Sequence, residues 1–434
     1  MSFLKHTFSL FFTQIAATLL ITVISIVNAR YLGPSGLGIM SLVVVVLTLL
    51  AMFGNLGIGL SNIFYGGKKR YTWEELASNS LISALILGSI LIVAGIVYFL
   101  YFSENIIPQT GMELLVAISF LLPFMLIINY FQSILLGQYR IKEYNLTTIL
   151  QNLMYLVFII INFTVINGGV QGVIISYVLA VLLTSILLIF RVKTLKRIAF
   201  NFKIFSKTIQ FGVKGYIGNV IQFFNYRIDM LILNFLLGTA SVGYYTISVS
   251  LVEALWYFPN AIGTLLLSRT PKLKTEDVNK STPLVSRNAF FITIILGIIL
   301  FIFARFIIVL LFGNKYLPSV EPLWFLIPGI VALSICKVLG NELAGRGKPI
   351  INTYISITSL VVNVPLNFLF IPQLGISGSA LASTISYMVS AVLTLVYFSR
   401  ISNNKISDLI IIKKSDLDIY WSLLAGLKDK ISNK

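Results

Sequence analysis

The heptapeptide LGPSGLG, Leu32–Gly38, returns as LGTASVG, Leu237–Gly243, at an offset of 205 residues (237 minus 32). The tetrapeptide GVQG, Gly169–Gly172, returns as GISG, Gly375–Gly378, at nearly the same offset, 206 (375 minus 169). Chance glycine coincidences would not keep register over two separate motifs, so a whole unit of about 200 residues is duplicated in the chain. Both copies consist almost wholly of apolar runs. Two similar membrane bundles in one chain are transporter architecture.

Composition sets the class independently. Hydrophobic residues make up 57% of the 434 and charged residues only 11%, with a mean hydropathy of +0.94, which is far more apolar surface than one soluble core hides. Runs of about 20 apolar residues, the length that carries an α-helix across the hydrocarbon layer, fall at 8–27, 38–64, 77–102, 114–136, 146–166 and 170–190. They recur at 211–236, 242–267, 288–312, 322–339, 350–371 and 376–398. The first run is too long for a signal peptide, and no small-x-small cleavage site follows it. The expected fold is an all-α integral membrane protein of twelve transmembrane helices. Six form an N-terminal lobe (1–200) and six a C-terminal lobe (201–400), followed by a cytoplasmic amphipathic tail (401–434).

Lys and Arg are retained on the cytoplasmic side of membranes. Here they cluster in alternate loops: Lys68 to Arg70, Arg140 and Lys142, Arg191 to Lys207, Arg269 to Lys280, and Arg346 with Lys348. Only Arg30 and Lys315 lie near the other loops. Both termini are therefore expected in the cytoplasm, and the formal charge of +17 reflects topology, with no nucleic-acid partner expected. A single cysteine, Cys336, excludes an intramolecular disulfide, and a single histidine, His6, makes no metal cluster. No G-x-x-x-x-G-K-[ST] phosphate loop is present. The longest outer loops, around 103–111 and 313–321, are about ten residues, too short for an external catalytic domain. The chain is not expected to be an enzyme, and neither a catalytic residue nor a metal ligand is expected.

Polar groups inside a span are expensive unless they face protein or water. At about 100° per residue, Thr7, Gln14, Thr18, Thr22 and Ser25 share one side of the first span. Gly215, Gly218, Asn219, Gln222, Asn225, Tyr226 and Asp229 share a similar arc of the seventh, its repeat counterpart. Further stripes run through Gln151, Tyr155 and Asn162 in the fifth span, and through Asn352, Ser356, Ser359, Asn363 and Asn367 in the eleventh. Each stripe has two readings: interhelical hydrogen bonding, or the wall of a hydrophilic central cavity, whose amides and tyrosines suit sugar hydroxyls. Four stripes on repeat-matched helices favour the cavity.

Charged residues inside the bundle are Arg227, Asp229, Glu253, Arg305 and Lys337. Cations along a path would compensate an anionic headgroup, and a carboxylate can bind a proton or a sodium ion. Arg227 sits about 130° from the centre of its helix's polar arc, so cavity and structural roles stay equally open. Lys337 reads as a residue snorkelling to the cytoplasmic interface, and Arg305 can reach the outer headgroups in the same way. The expected substrate-cavity set is Gln14, Thr18, Ser25, Asn219, Gln222, Asn225, Arg227, Arg305 and Asn363. Asp229 and Glu253 are the coupling or gating candidates, with a fixed ion pair as the alternative for each.

NARYLGPSGLGIMSL from Asn28, GNLGIG at Gly54–Gly59, YRIDMLILNFLLGTASVGYYTIS from Tyr226, FGNKYLPS from Phe312 and LGISGSALAS from Leu374 together resemble bacterial polysaccharide-unit (O-antigen or exopolysaccharide) flippases. The resemblance runs nearly the whole chain to about Arg400. It implies the multidrug/oligosaccharidyl-lipid/polysaccharide exporter superfamily, with two lobes forming a V around a central cavity. It implies that a polyprenyl pyrophosphate-linked oligosaccharide is moved from the cytoplasmic to the outer leaflet of the bacterial inner membrane by alternating access. No cofactor is implied, and any coupling ion would be H+ or Na+. The implied partners are the lipid bilayer, the lipid-linked oligosaccharide, and a polysaccharide polymerase with glycosyltransferases.

Two departures sharpen the choice. Cation-coupled drug exporters of this fold commonly carry an acidic residue in the first span, and 8–28 has none. Peptidoglycan-precursor flippases add two spans after the twelfth, whereas charges interrupt 401–434 and suggest an interfacial amphipathic helix. Drug export and a noncatalytic scaffold for glycan synthesis stay open as alternatives.

Overall fold

The computed structural model describes residues 2–106, 112–192, 198–270, 274–414 and 416. Parts of the predicted loops (107–111, 193–197 and 271–273) and nearly all of the predicted amphipathic tail lie outside the described residues, as does the side chain of Thr7.

The first helix, α1 (Ser2–Asn55), runs through two crossings, with Gly33 at φ 68° and ψ −177° breaking it just before Pro34. Its apolar part, Phe12–Asn55, is 44 residues long, about twice what one crossing needs. Ten further helices are long and apolar enough to cross a membrane, so the described chain makes twelve crossings, as the hydropathy predicts. α2 (Ile58–Gly67) completes the second crossing, α3 (Trp73–Ile106) the third, α4 (Met112–Ser119) and α5 (Leu122–Gly137) the fourth. α6 (Ile141–Ile161) runs into a π turn, and α7 (Gly169–Arg191) closes the first repeat. The second repeat comprises α8 (Phe202–Leu237), α9 (Thr239–Glu253) with α10 (Tyr257–Arg269), α11 (Thr275–Phe312), α12 (Val320–Gly345), α13 (Ile350–Leu374) and α14 (Ile376–Ser402). A short α15 (Ile406–Ile410) follows.

Local chemistry sets the ends of these helices. Thr72 and Glu75 form a capping box at the start of α3: the Thr72 backbone N–H donates to Glu75 Oε2 at 2.8 Å and the Glu75 N–H to Thr72 Oγ1 at 3.2 Å. Asn201 caps α8 by accepting from the Lys203 N–H at 3.0 Å.

Packing divides the chain into two compact units that do not follow the repeat boundary: Met1–Thr246 with Val309–Leu317, and Ile247–Ile308 with Pro318–Lys434. In the first unit α8 packs against α2 because glycines remove the side chains between them. A Cβ on Gly57 or on Gly212 would strike the other's backbone. Ser61 Oγ donates to the Thr208 carbonyl at 2.6 Å, and Phe64 stacks on Phe211 with ring centroids 4.2 Å apart. Buried Tyr130 and Phe131 fill the centre of this unit, and Tyr130 Oη donates to the Gly54 carbonyl at 3.0 Å. In the second unit Val338, Leu339 and Leu343 of α12 pack with Leu395 and Phe398 of α14. There Thr384 Oγ1 donates to the Phe325 carbonyl at 2.6 Å.

Candidate functional site

The predicted polar faces of the first and seventh crossings both belong to the first unit. On α1, Gln14 is exposed, while Thr18 and Ser25 are half-buried. On α8, Asn219 is exposed, Gln222 and Arg227 are half-buried, and Asn225 and Asp229 are buried. Gln222 Nε2 donates to Tyr226 Oη at 3.0 Å, one turn further along. Arg227 Nη1 donates to the Tyr226 carbonyl at 3.2 Å. An amide, a phenol and a guanidinium are thus gathered within two turns of a membrane helix. These are the groups that recognise hydroxyl-rich and anionic ligands.

Asp229 is 1% exposed, and its carboxylate accepts hydrogen bonds at both oxygens. Tyr245 Oη of α9 donates to its Oδ2 at 2.6 Å, and the Met230 N–H donates to its Oδ1 at 2.8 Å. Tyr245, itself fully buried, was absent from the sequence-derived set. Its spacing of 16 residues from Asp229 crosses the α8–α9 turn at Gly238, so helical periodicity gives no signal for it. Lys214, exposed on α8, was also missed, although a lone lysine inside an apolar run was legible.

In the stripes of the fifth and eleventh crossings, Asn162, Ser359, Asn363 and Asn367 bond to the helix that follows or its start, and Asn352 donates to the Gly340 carbonyl of α12 at 2.8 Å. Asn162 Oδ1 accepts from the Gly168 N–H at 3.2 Å, and its Nδ2 donates to the Gly169 carbonyl at 3.3 Å. Its counterpart 205 positions on, Asn367, accepts from Ser379 Oγ at 2.8 Å and donates to Asn363 Oδ1. Asn363 Nδ2 donates to Ser386 Oγ at 3.2 Å, and Ser359 Oγ to the Ser386 carbonyl at 2.8 Å. Asn363, expected in the cavity, is fully buried and turned to α14. The reason is physical: in hydrocarbon, an amide beside another helix finds its partners there.

In the second unit, Glu253 is half-buried at the junction of α9 with the 3-10 turn Ala254–Trp256. The Lys337 ammonium lies 4.6 Å from the Trp256 ring centroid, a cation–π contact. Arg305 is exposed among Ile298, Phe301 and Ile302. Ile298, Phe301 and Ile302 precede it by seven, four and three residues, so its side of α11 is apolar. An ion pair that sequence reasoning overlooked, Glu342 with Arg346 one turn later, has its Nε–Oε1 hydrogen bond at 2.7 Å. Among the described residues no group of three or more His, Cys, Asp or Glu side chains is placed to hold a metal ion.

The twelve-crossing helical fold and its intramembrane polar turns define a multi-pass membrane protein with the fold of the multidrug/oligosaccharidyl-lipid/polysaccharide exporters. An inward-facing multidrug resistance MATE transporter of that superfamily superposes with a TM-score of 0.74 at 17% identity, covering 89% of this chain and 94% of that one. The lipid II flippase MurJ, in an inward closed conformation, gives 0.72 at 17% identity, covering 98% and 93%. The chain belongs to the polysaccharide biosynthesis protein family, whose model matches residues 27–321. A putative O-antigen transporter of Shigella flexneri is 22% identical over 403 residues, 86% of this chain and 92% of that protein. An uncharacterized membrane protein of Methanocaldococcus jannaschii, MJ1068, is 25% identical over 294 residues, 63% of this chain. The match spans only 57% of that relative's length.

Proposed function

We propose that this protein is a flippase for polyprenyl pyrophosphate-linked oligosaccharide units, moving them from the cytoplasmic to the outer leaflet by alternating access for surface polysaccharide synthesis. The observation that carries the reading is the stretch of about two turns of α8 bearing Gln222, Asn225, Tyr226, Arg227 and Asp229 inside a membrane-crossing helix. Carrying sugar hydroxyls and a pyrophosphate bare through hydrocarbon costs several kcal/mol per unpaired polar group. A polar wall on α1 and α8 replaces the lost water while the polyprenyl chain stays in lipid. Gln14, Thr18, Ser25, Asn219, Gln222, Asn225 and Arg227 form that wall in this reading. Asp229 and Glu253 are the groups proposed to bind H+ or Na+, if transport is ion-coupled. The site is the bacterial inner membrane with both termini in the cytoplasm, and polymerase and glycosyltransferases are the proposed partners. The membership of the polysaccharide biosynthesis family and the likeness to an O-antigen transporter support it.

The test is mass spectrometry of polyprenyl-linked glycans from cells with and without the gene. Accumulation of a completed oligosaccharide pyrophospholipid in the deletion is expected. An unchanged pool in cells with an active pathway would redirect the assignment to drug export, which the fold shared with a multidrug transporter keeps as the second reading.

A further inference from the structure

The run that enters the second repeat carries side chains that the proposed wall does not use. Residues 198–201 are irregular, with Asn201 extended at φ −119° and ψ 107°, and α8 follows. Two buried side chains of α3 satisfy the backbone of this run. Ser78 Oγ accepts from the Ala199 N–H at 2.6 Å and donates to the Ala199 carbonyl at 2.8 Å. Asn79 Oδ1 accepts from the Asn201 N–H at 3.1 Å. Ser78 and Asn79 stand five and six residues after Trp73, where that membrane-crossing helix begins, which places them about 8–9 Å along it. At alternate positions the run exposes large apolar side chains: Ile198, Phe200 and Phe202 are 69%, 39% and 71% exposed. Phe200 and Phe202 both lie against Phe205, with ring centroids 5.4 and 6.2 Å away. Cations flank this apolar strip. Lys203 and Lys207 lie on the first two turns of α8, and Lys68, Lys69 and Arg70 are exposed on the turn between α2 and α3. The stacked rings of Phe64 and Phe211 bring the two groups together, with the Lys68 ammonium 4.5 Å from the Phe64 centroid. No Asp or Glu occurs between Arg191 and Asp229, nor anywhere before Glu74.

We propose that Ile198, Phe200 and Phe202 form a foot set into the acyl–headgroup boundary of the leaflet at the basic-loop end, where Lys203, Lys207 and the Lys68–Arg70 turn bind the phosphates of anionic phospholipids. Depth fits this occupant. Apolar faces that lie on membranes enter about 5–10 Å into that boundary, and the run is bonded to α3 about that far from the start of the helix. The backbone bonds explain how an irregular segment tolerates the depth. Peptide groups facing lipid must find partners within the protein, and Ser78 and Asn79 supply them to Ala199 and Asn201. Two polar residues inside an apolar run, otherwise costly, thereby acquire a task. Facing water, three large apolar side chains within five residues would gain nothing from their exposure. The charge complements the same occupant, because basic residues beside a crossing are drawn to anionic lipid, and lysines reach the headgroups while their stems stay against apolar surface.

The inference does not rest on the cargo, and an unchanged lipid-linked glycan pool in the deletion would leave it standing. In the full chain with Cys336→Ser, Ile198→Cys carries a bimane fluorophore, and the protein is placed in phosphatidylcholine nanodiscs with a minor fraction of phosphatidylglycerol. Lipids brominated near the carboxyl end of the chain are expected to quench the label more than lipids brominated near the methyl end. At equal mole fraction, brominated phosphatidylglycerol should quench more than brominated phosphatidylcholine. Lys203→Gln, at an exposed position outside the proposed wall, is expected to raise the half-saturating fraction of phosphatidylglycerol about fivefold, the effect of one cation at an anionic surface. A label that no brominated lipid quenches would place the run in water or beneath a protein partner and overturn the foot. Equal quenching by the two headgroups, or a titration unchanged in both Lys203→Gln and Lys207→Gln, would overturn the anionic-lipid site.

Discussion

Gly38 lies so close to the backbone of Thr239 that no side chain fits between them, and Gly243, its repeat equivalent, stands in the same relation to Pro34. A duplication read from glycine spacing thus returns as a physical contact between the duplicated motifs. Gly38→Ala and Gly243→Ala should each destabilise by about 1–3 kcal/mol, because the obstruction is backbone and cannot rotate away. Thermal unfolding in detergent checks this. The double variant is expected to lose less than the sum, since either change alone already separates the pair.

Tyr245→Phe removes the donor to Asp229 Oδ2 and leaves a buried carboxyl oxygen short of a bond, at a cost of about 1–3 kcal/mol. In the background of Asp229→Asn the same change should cost measurably less. Equal costs in both backgrounds would mean that the 2.6 Å hydrogen bond contributes nothing.

Asn363→Ala separates packing from cavity roles. With its amide bonded to Ser386, the variant should lose thermal stability and membrane abundance. Transport per folded molecule is expected to match the wild type. A transport defect at normal stability would restore Asn363 to the substrate path.

Arg305→Gln is expected to change stability by less than about 0.5 kcal/mol, as substitutions away from packed or paired groups usually do, and to leave transport intact. Its side chain stands among exposed apolar neighbours, and truncation deprives no buried partner. A complementation assay on surface glycan reads this directly.

The start of the tail carries a pH prediction. Asp416 accepts both arms of the Arg287 guanidinium, Nη2 to Oδ1 at 2.6 Å and Nε to Oδ2. This hydrogen bonding holds its carboxyl below the usual carboxylate range. A depressed folded pKa contributes stability that is present above the unfolded value, about 3.9, and lost as pH falls through the folded one. A spin label at Ile411→Cys, in a Cys336→Ser chain, should therefore stay immobile from pH 8 to 5 and loosen only in stronger acid. Asp416→Asn should loosen it at pH 7.

Membrane class, twelve crossings and internal duplication were fixed by composition and spacing, because the bilayer imposes length and apolarity on every crossing whatever its neighbours. The polar stretch at Gln222–Asp229 was legible for the same reason: polar groups stand out in a helix of apolar residues. The direction in which each polar stripe turns was decided by tertiary structure alone. Asn363 and Asn162 read from sequence like Asn219, yet the first two bind the helix that follows while Asn219 is exposed, since the choice between a neighbouring helix and open space depends on which surface lies within about 3 Å. Tyr245 beside Asp229, Arg30 on the end of α11, and the meeting of Gly38 with Thr239 are likewise products of long-range packing. No period in the sequence encodes them, because each joins crossings whose relative rotation only the folded bundle sets.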